Sequence, residues 1–190
     1  YENFQIEFLI KNIKKYNSDY FIDIGANSGI YSLIVRNKFQ KIIIKFRKNL
    51  KLNKKLKNIK IYKFGLSNKN SQLLMRAKIR DGYIQSSGYG VVKKEDNLKN
   101  LHIEKNIFKI GDKTIKLKNK KICIKIDAEG HEYEVLQGLK SLLNYNEIFL
   151  QVEIFEENFN KINKYLKSQK FKCISAISND GKADYYYKNF

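Results

Sequence analysis

The segment Phe21-Ile22-Asp23-Ile24-Gly25-Ala26-Asn27-Ser28-Gly29 sets a carboxylate and two glycines at the end of a short apolar run. Such a run reads as a buried strand, and in open α/β sheets ligands bind beyond the carboxyl ends of the strands. Gly25 removes a side chain where a ligand must approach the backbone, and Gly29 lets the next helix start close to the strand. Backbone N–H groups at that helix start can hold a ligand carboxylate. Asp23 can accept hydrogen bonds from an amino group. A ligand with both an ammonium and a carboxylate suits this arrangement, and the methionine end of S-adenosylmethionine has both. The spacing Asp-x-Gly-x-x-x-Gly lacks the third glycine of a dinucleotide fingerprint. A dinucleotide site and a turn whose glycines are purely structural stand as the competing readings.

A second segment runs Lys125-Ile126-Asp127-Ala128-Glu129-Gly130-His131-Glu132-Tyr133-Glu134-Val135-Leu136-Gln137-Gly138. Again a strand ends in carboxylates and a helix begins at once, so Asp127 and Glu129 share a sheet edge with Asp23. The helix N-terminus favours their ionised forms. Glu132 and Glu134 read first as acids in a helix's first turn. His131, near the helix start, is either a base or substrate contact or plain surface. Asp127, Glu129 and His131 are therefore the candidate catalytic residues, and their spacing does not rank Glu129 above His131. In a third segment, Gln151-Val152-Glu153-Ile154, a carboxylate inside an apolar strand is costly without a partner. Glu153 either lines the site as a substrate contact or pairs with a lysine.

The elements that must position these groups follow from periodicity. Ile6, Leu9, Ile10 and Ile13 predict a helix over 3–16, and residues 20–36 read as strand, tight loop and helix. Lys41–Ile44 and Ile59–Phe64 are strands, with a basic helix over 47–56 between them. From Ser67 to Asn119 the pattern weakens. Residues 86–90 read as a flexible loop, 93–106 as an exposed Lys/Asn-rich stretch, and 109–117 as a small hairpin. Lys121–Ile126 and Ile148–Ile154 are buried strands, each followed by a striped helix, from His131 to Leu143 and around Phe159–Leu166. Strands at 171–177 and 183–187 flank Asn179-Asp180-Gly181, a hairpin turn signal. Alternating strands and helices predict a mostly parallel, doubly wound α/β sheet with an antiparallel C-terminal edge hairpin. No internal repeat or linker divides residues 1–190, so a single domain is expected.

With 190 residues the chain can bury roughly two-thirds of its unfolded surface. No apolar run approaches the roughly 20 residues of a membrane helix. The chain begins at Tyr1 without a methionine or a signal-peptide pattern, which suggests that preceding residues have been cut away. The net charge of +19 comes from lysine spread along the chain, together with abundant Asn and Ile and no Pro or Trp. That usage matches AT-rich coding. As a clue to a partner it favours an anionic substrate over nucleic acid, for which no RNP-like aromatic run is present. Cys123 and Cys173 stand apart, with neither histidine at zinc spacing, so no metal site is expected. Two buried free thiols in a reducing cytoplasm are expected instead.

At these residues the chain resembles the FkbM-type methyltransferases, which carry an Asp-x-Gly-Ala-Asn-x-Gly loop and a later Lys-x-Asp-x-Glu-Gly-x-Glu-x-x-Val-Leu-x-Gly signature. Both patterns occur here, at Asp23–Gly29 and Lys125–Gly138, and further matches are Phe64-Gly65-Leu66-Ser67, Gln151-Val152-Glu153 and Tyr185–Phe190. The resemblance implies a Rossmann-like class I methyltransferase using S-adenosyl-L-methionine. The donor would be held by Asp23, Gly25, Ala26, Asn27, Gly29, Gly65, Leu66, Ser67 and Asp127. It also implies O-methylation of a hydroxyl on a sugar, glycolipid or secondary-metabolite acceptor.

One departure stands out. The family pattern has an acid after its second strand for the donor ribose, and here no acid occurs between Asp23 and Asp81. A segment of about ten residues is inferred to be missing after Ile44, with weakened donor binding as the consequence. The competing functional readings are an RNA-binding protein or RNA methyltransferase, and a catalytically dead remnant of a methyltransferase.

Overall fold

The structure is a computed structural model that describes residues 3–35, 41–44, 59–85, 88–179 and 181–190. The basic helix expected over 47–56 and the join after Ile44 lie outside these residues.

Helix α1 (Asn3–Tyr16) turns its Leu9 and Ile13 inward and gives way at Asn17, which has a φ of 49°. It leads into β1 (Tyr20–Ile24), α2 (Ile30–Val35), β2 (Lys41–Ile44) and β3 (Ile59–Ile61). An excursion follows: β4 (Gly65–Ser67), β5 (Ser71–Arg80), β6 (Tyr83–Ile84), β7 (Gly90–Val91), β8 (Leu101–Ile110) and the short helix α3 (Gly111–Thr114). The chain then returns through β9 (Lys121–Ile126), α4 (Glu132–Gly138), α5 (Lys140–Asn144), β10 (Glu147–Phe155), α6 (Phe159–Ser168), β11 (Lys172–Asn179) and β12 (Lys182–Lys188).

Seven strands form the main sheet in the order β11-β12-β10-β9-β1-β2-β3. The five strands from β10 to β3 run parallel, so their carboxyl ends share one edge, and β12 is antiparallel to both β10 and β11. Alternation divides the side chains between two faces. Phe21, Cys123, Phe149 and Tyr186 pack with α1 and α2 on one face. Ile22, Ile24, Ile124, Leu150 and Tyr187 pack with α4, α5 and α6 on the other.

A second sheet, β4-β8-β5-β6, with β7 also paired to β5, is built from the excursion. Here the structure corrects the sequence reading. The exposed stretch and small hairpin expected over 93–117 contain instead the long strand β8 and the turn of helix α3. The period-2 signal was faint because Ala77 is the sole buried residue of β5, so neither face of that strand needed to be consistently apolar. Three smaller corrections concern boundaries and burial. β3 stops at Ile61 rather than Phe64, the helix from His131 breaks at Leu139, and Cys173 is exposed while Cys123 is buried.

Candidate active site

The parallel register dictates which groups meet. Asp23 lies beside Lys125, and Lys125 beside Gln151, in one row across β1, β9 and β10. One residue further along, Ile24 pairs with Ile126, which brings Gly25 level with Asp127. The Asp127 N–H donates to the Ile24 carbonyl at 2.9 Å. A side chain at Gly25, whose φ is 81°, would run into the Asp127 carbonyl. The glycine is therefore needed for strand packing, and not only for the ligand access that the sequence suggests.

Over this edge opens a cleft of about 360 Å³. Its floor is Gly25, Ala26 and Asn27 on one side and Asp127, Glu129 and His131 on the other, with Gly65 and Leu66 of β4 beside them. The opposite wall comes from the second sheet and the residue just before β7: Met75, Val91 and Phe108, with Tyr89. Sequence reasoning missed these four residues. The single available hint was the Gly-Tyr-Gly at 88–90, whose Gly90 lies against the Glu129 carbonyl.

Asp23 lies beneath the cleft rather than on its wall. It is 2% exposed; Ser32 Oγ donates to its Oδ2 at 2.6 Å, and its Oδ1 has no hydrogen-bond partner among the described residues. Burial pushes its carboxyl above the ordinary carboxylate value, although the nearby Lys125 ammonium opposes the shift. Lys125 is 6% exposed, donates to Asp127 Oδ2 at 3.1 Å and sits 4.5 Å over the Tyr31 ring. Burial by itself would lower its affinity for the proton. The carboxylates of Asp127 and Asp23 outweigh that and hold the ammonium above its ordinary value. Asp127 Oδ1 is buried and also lacks a partner among the described residues.

The turn after β9 is held by carboxylates. Glu132 Oε1 accepts the N–H groups of Ala128 at 2.9 Å and Gly130 at 3.0 Å. Glu129 adopts the left-handed conformation, φ 50°, that a non-glycine residue rarely takes. Its Oε1 accepts the Gly88 N–H at 3.0 Å, which ties the turn to the loop of the opposite wall.

His131 Nε2 and Ser67 Oγ are 3.0 Å apart, and His131 Nδ1 lies 3.6 Å from Glu134 Oε2. Burial lowers the imidazole's proton affinity below its ordinary value, with Glu134 opposing. The Ser-His-Glu sequence of contacts resembles a hydrolytic triad, but Ser67 is 1% exposed and does not line the cleft. A buried hydroxyl cannot attack a substrate, so here it orients the ring. Gly29 is likewise outside the cleft lining. Glu153 is too: Lys182 Nζ donates to its Oε2 at 2.6 Å, which is the lysine pairing rather than the cleft contact. Burial, with Asp127 nearby, pushes the Glu153 carboxyl up to about 7.

Residues 17–173 match the family model described as the methyltransferase FkbM domain. Among solved structures the chain is similar to the methyltransferase FkbM from Methylobacillus flagellatus KT. That likeness has a TM-score of 0.58 and 14% identity over 90% of this chain, and it spans 43% of the other. It is also similar to an S-adenosylmethionine-dependent methyltransferase from Clostridium acetobutylicum ATCC 824, with TM-score 0.53, 10% identity, and coverage of 96% and 89%. The putative methyltransferase yhhF from Escherichia coli gives TM-score 0.52, 10% identity, and coverage of 97% and 84%. At these identities the likeness is one of fold. None of the curated proteins matches.

Proposed function

The chain belongs to the methyltransferase FkbM domain family, and from that premise we propose that it moves a methyl group from S-adenosylmethionine to a hydroxyl of a sugar, glycolipid or secondary-metabolite acceptor. The observation that carries this reading is the pairing of the Gly25–Asn27 loop with Asp127 across one sheet edge, under a cleft large enough for a small ligand. The unpartnered Asp127 Oδ1 fits an ammonium, and the Gly25–Asn27 loop that lines the cleft beside it fits the carboxylate end of the same ligand. The bound donor would supply an electrophilic methyl on its sulfonium.

The chain's own residues then have three tasks. Lys125 donates to Asp127 Oδ2 and holds that carboxylate at the sheet edge. The wall of Met75, Val91 and Phe108 excludes water from the transfer path. A base must take the acceptor's proton, since a sugar hydroxyl is a poor nucleophile until it is removed. Glu129 suits that role better than His131. Its Oε2 accepts no hydrogen bond among the described residues, whereas both imidazole nitrogens already face Ser67 and Glu134. Asp127 is committed to Lys125 and to the donor.

Calorimetric titration with S-adenosylhomocysteine tests the reading. Binding that weakens about 10- to 100-fold in Asp127→Asn is expected from the loss of one charged hydrogen bond. A chain that stays folded and binds no S-adenosylhomocysteine would instead be the dead remnant.

A further inference from the structure

A second groove of about 570 Å³ lies between the edge strand β3 and the second sheet. Three ammonium groups line it: Lys60 on β3, Lys109 at the end of β8 and Lys113 on α3. Between them stand two aromatic rings, Tyr62 and Phe64, 5.3 Å apart. Lys60 Nζ lies 5.1 Å from the Tyr62 ring centre and Lys109 Nζ 4.6 Å from that of Phe64. Among the described residues no carboxylate lines the groove, and none of the three lysines has an ion-pair partner within 4.0 Å. The nearest acid in sequence, Asp112, is spent on the Ser141 and Leu142 N–H groups. Asn70 and Ser71 add an amide and a hydroxyl, and the Ser71 hydroxyl has no partner among the described residues.

We infer that this groove binds an acidic saccharide, the part of the acceptor that carries carboxylate or phosphate groups. Unneutralised ammoniums supply attraction for the anionic groups, aromatic faces supply platforms for sugar rings, and short polar side chains supply partners for hydroxyls. The volume falls within the usual range for ligand pockets, about 300–1,000 Å³. The groove is also next to the transfer cleft. Phe108 lines both, with its ring edge-on to His131 at 5.4 Å. A saccharide seated in the groove therefore reaches the cleft past a single ring. Saccharide binding stands on the groove alone, while the ligand's role as acceptor rests on the methyl-transfer reading.

Calorimetry on the chain with a short oligogalacturonate tests the inference. A methyl-esterified oligogalacturonate of the same length and a single-stranded oligonucleotide of the same charge serve as comparisons. The acidic sugar should bind, and its neutral ester about tenfold or more weakly. K109A/K113A and Tyr62→Ala should each lose about tenfold, while K14A/K15A on the exposed side of α1 should change by less than about twofold. Equal loss in both double variants would mark diffuse attraction to a chain of net charge +19 and overturn the groove. So would a failure of the acidic sugar to bind. Preference for the oligonucleotide, lost in the same groove variants, would assign the groove to nucleic acid and overturn the saccharide. S-adenosylhomocysteine binding reads out separately. Its absence alongside intact sugar binding would remove the methyl-transfer reading and leave the groove, and the converse would do the reverse.

Discussion

Lys125 Nζ stands 3.1 Å from Asp127 Oδ2, and the lysine that makes this contact is almost sealed from water between Asp23, Asp127 and the Tyr31 ring. The ion pair is thus part of the sheet's interior and part of the cleft floor at once. Its cation belongs to the core, while its carboxylate has one oxygen left for a ligand.

Lys125→Met should destabilise the fold by about 3–5 kcal/mol, because it leaves buried carboxylates without their counter-charge. Urea denaturation at pH 7 measures this. The loss should shrink as the pH is lowered and Asp23 takes up a proton. A variant as stable as the parent at pH 7 would mean that the carboxylates are already neutralised by other means.

Gly25→Ala should unsettle the structure and not merely the donor site. A left-handed φ costs a non-glycine residue roughly 1–2 kcal/mol, and the added methyl would also collide with the Asp127 carbonyl of the neighbouring strand. A lowered melting temperature together with lost S-adenosylhomocysteine binding is the expected result. Lost binding at an unchanged melting temperature would return Gly25 to the purely ligand-facing role that the sequence suggests.

Glu132 gives a pH signature. Burial pushes its carboxyl up to about 7, against the opposing N–H groups of Gly130 and Ala128. The folded state therefore holds this proton more tightly than the unfolded chain does. The stability it contributes is complete below the ordinary glutamate value and is lost as pH rises through about 7. Glu132→Gln keeps an acceptor for both N–H groups and cannot ionise. It should flatten the stability profile between pH 5 and 8, with a gain at pH 8 of roughly 3 kcal/mol at most. Parallel profiles for parent and variant would show that Glu132 titrates normally.

Glu129→Gln should cut methyl transfer by about 100- to 10,000-fold, the usual contribution of a general base, with donor affinity little changed. His131→Ala should cost less, since the imidazole acts on the cleft through its packing with Phe108 and Ser67. Turnover measured on an accepted saccharide decides between them. The larger loss in His131→Ala would exchange their roles.

The local patterns of the chain were enough to read strands β1, β2, β9 and β10, and to bring Asp23, Gly25, Asp127 and Glu129 to one sheet edge. Those features depend on periodicity and on residues within a single strand-turn-helix, where neighbours in sequence are neighbours in space. Tertiary structure decided everything that depends on register or on distant partners. It placed Asp23 below the cleft and made Lys125 the buried partner of Asp127. It also committed Glu153 to Lys182 and set Ser67 against His131 across 64 residues. The wall of Met75, Tyr89, Val91 and Phe108 was hidden for a related reason. Its strands bury little on either face, so burial imposed no alternation on their sequence, and only the folded chain shows that they close the site.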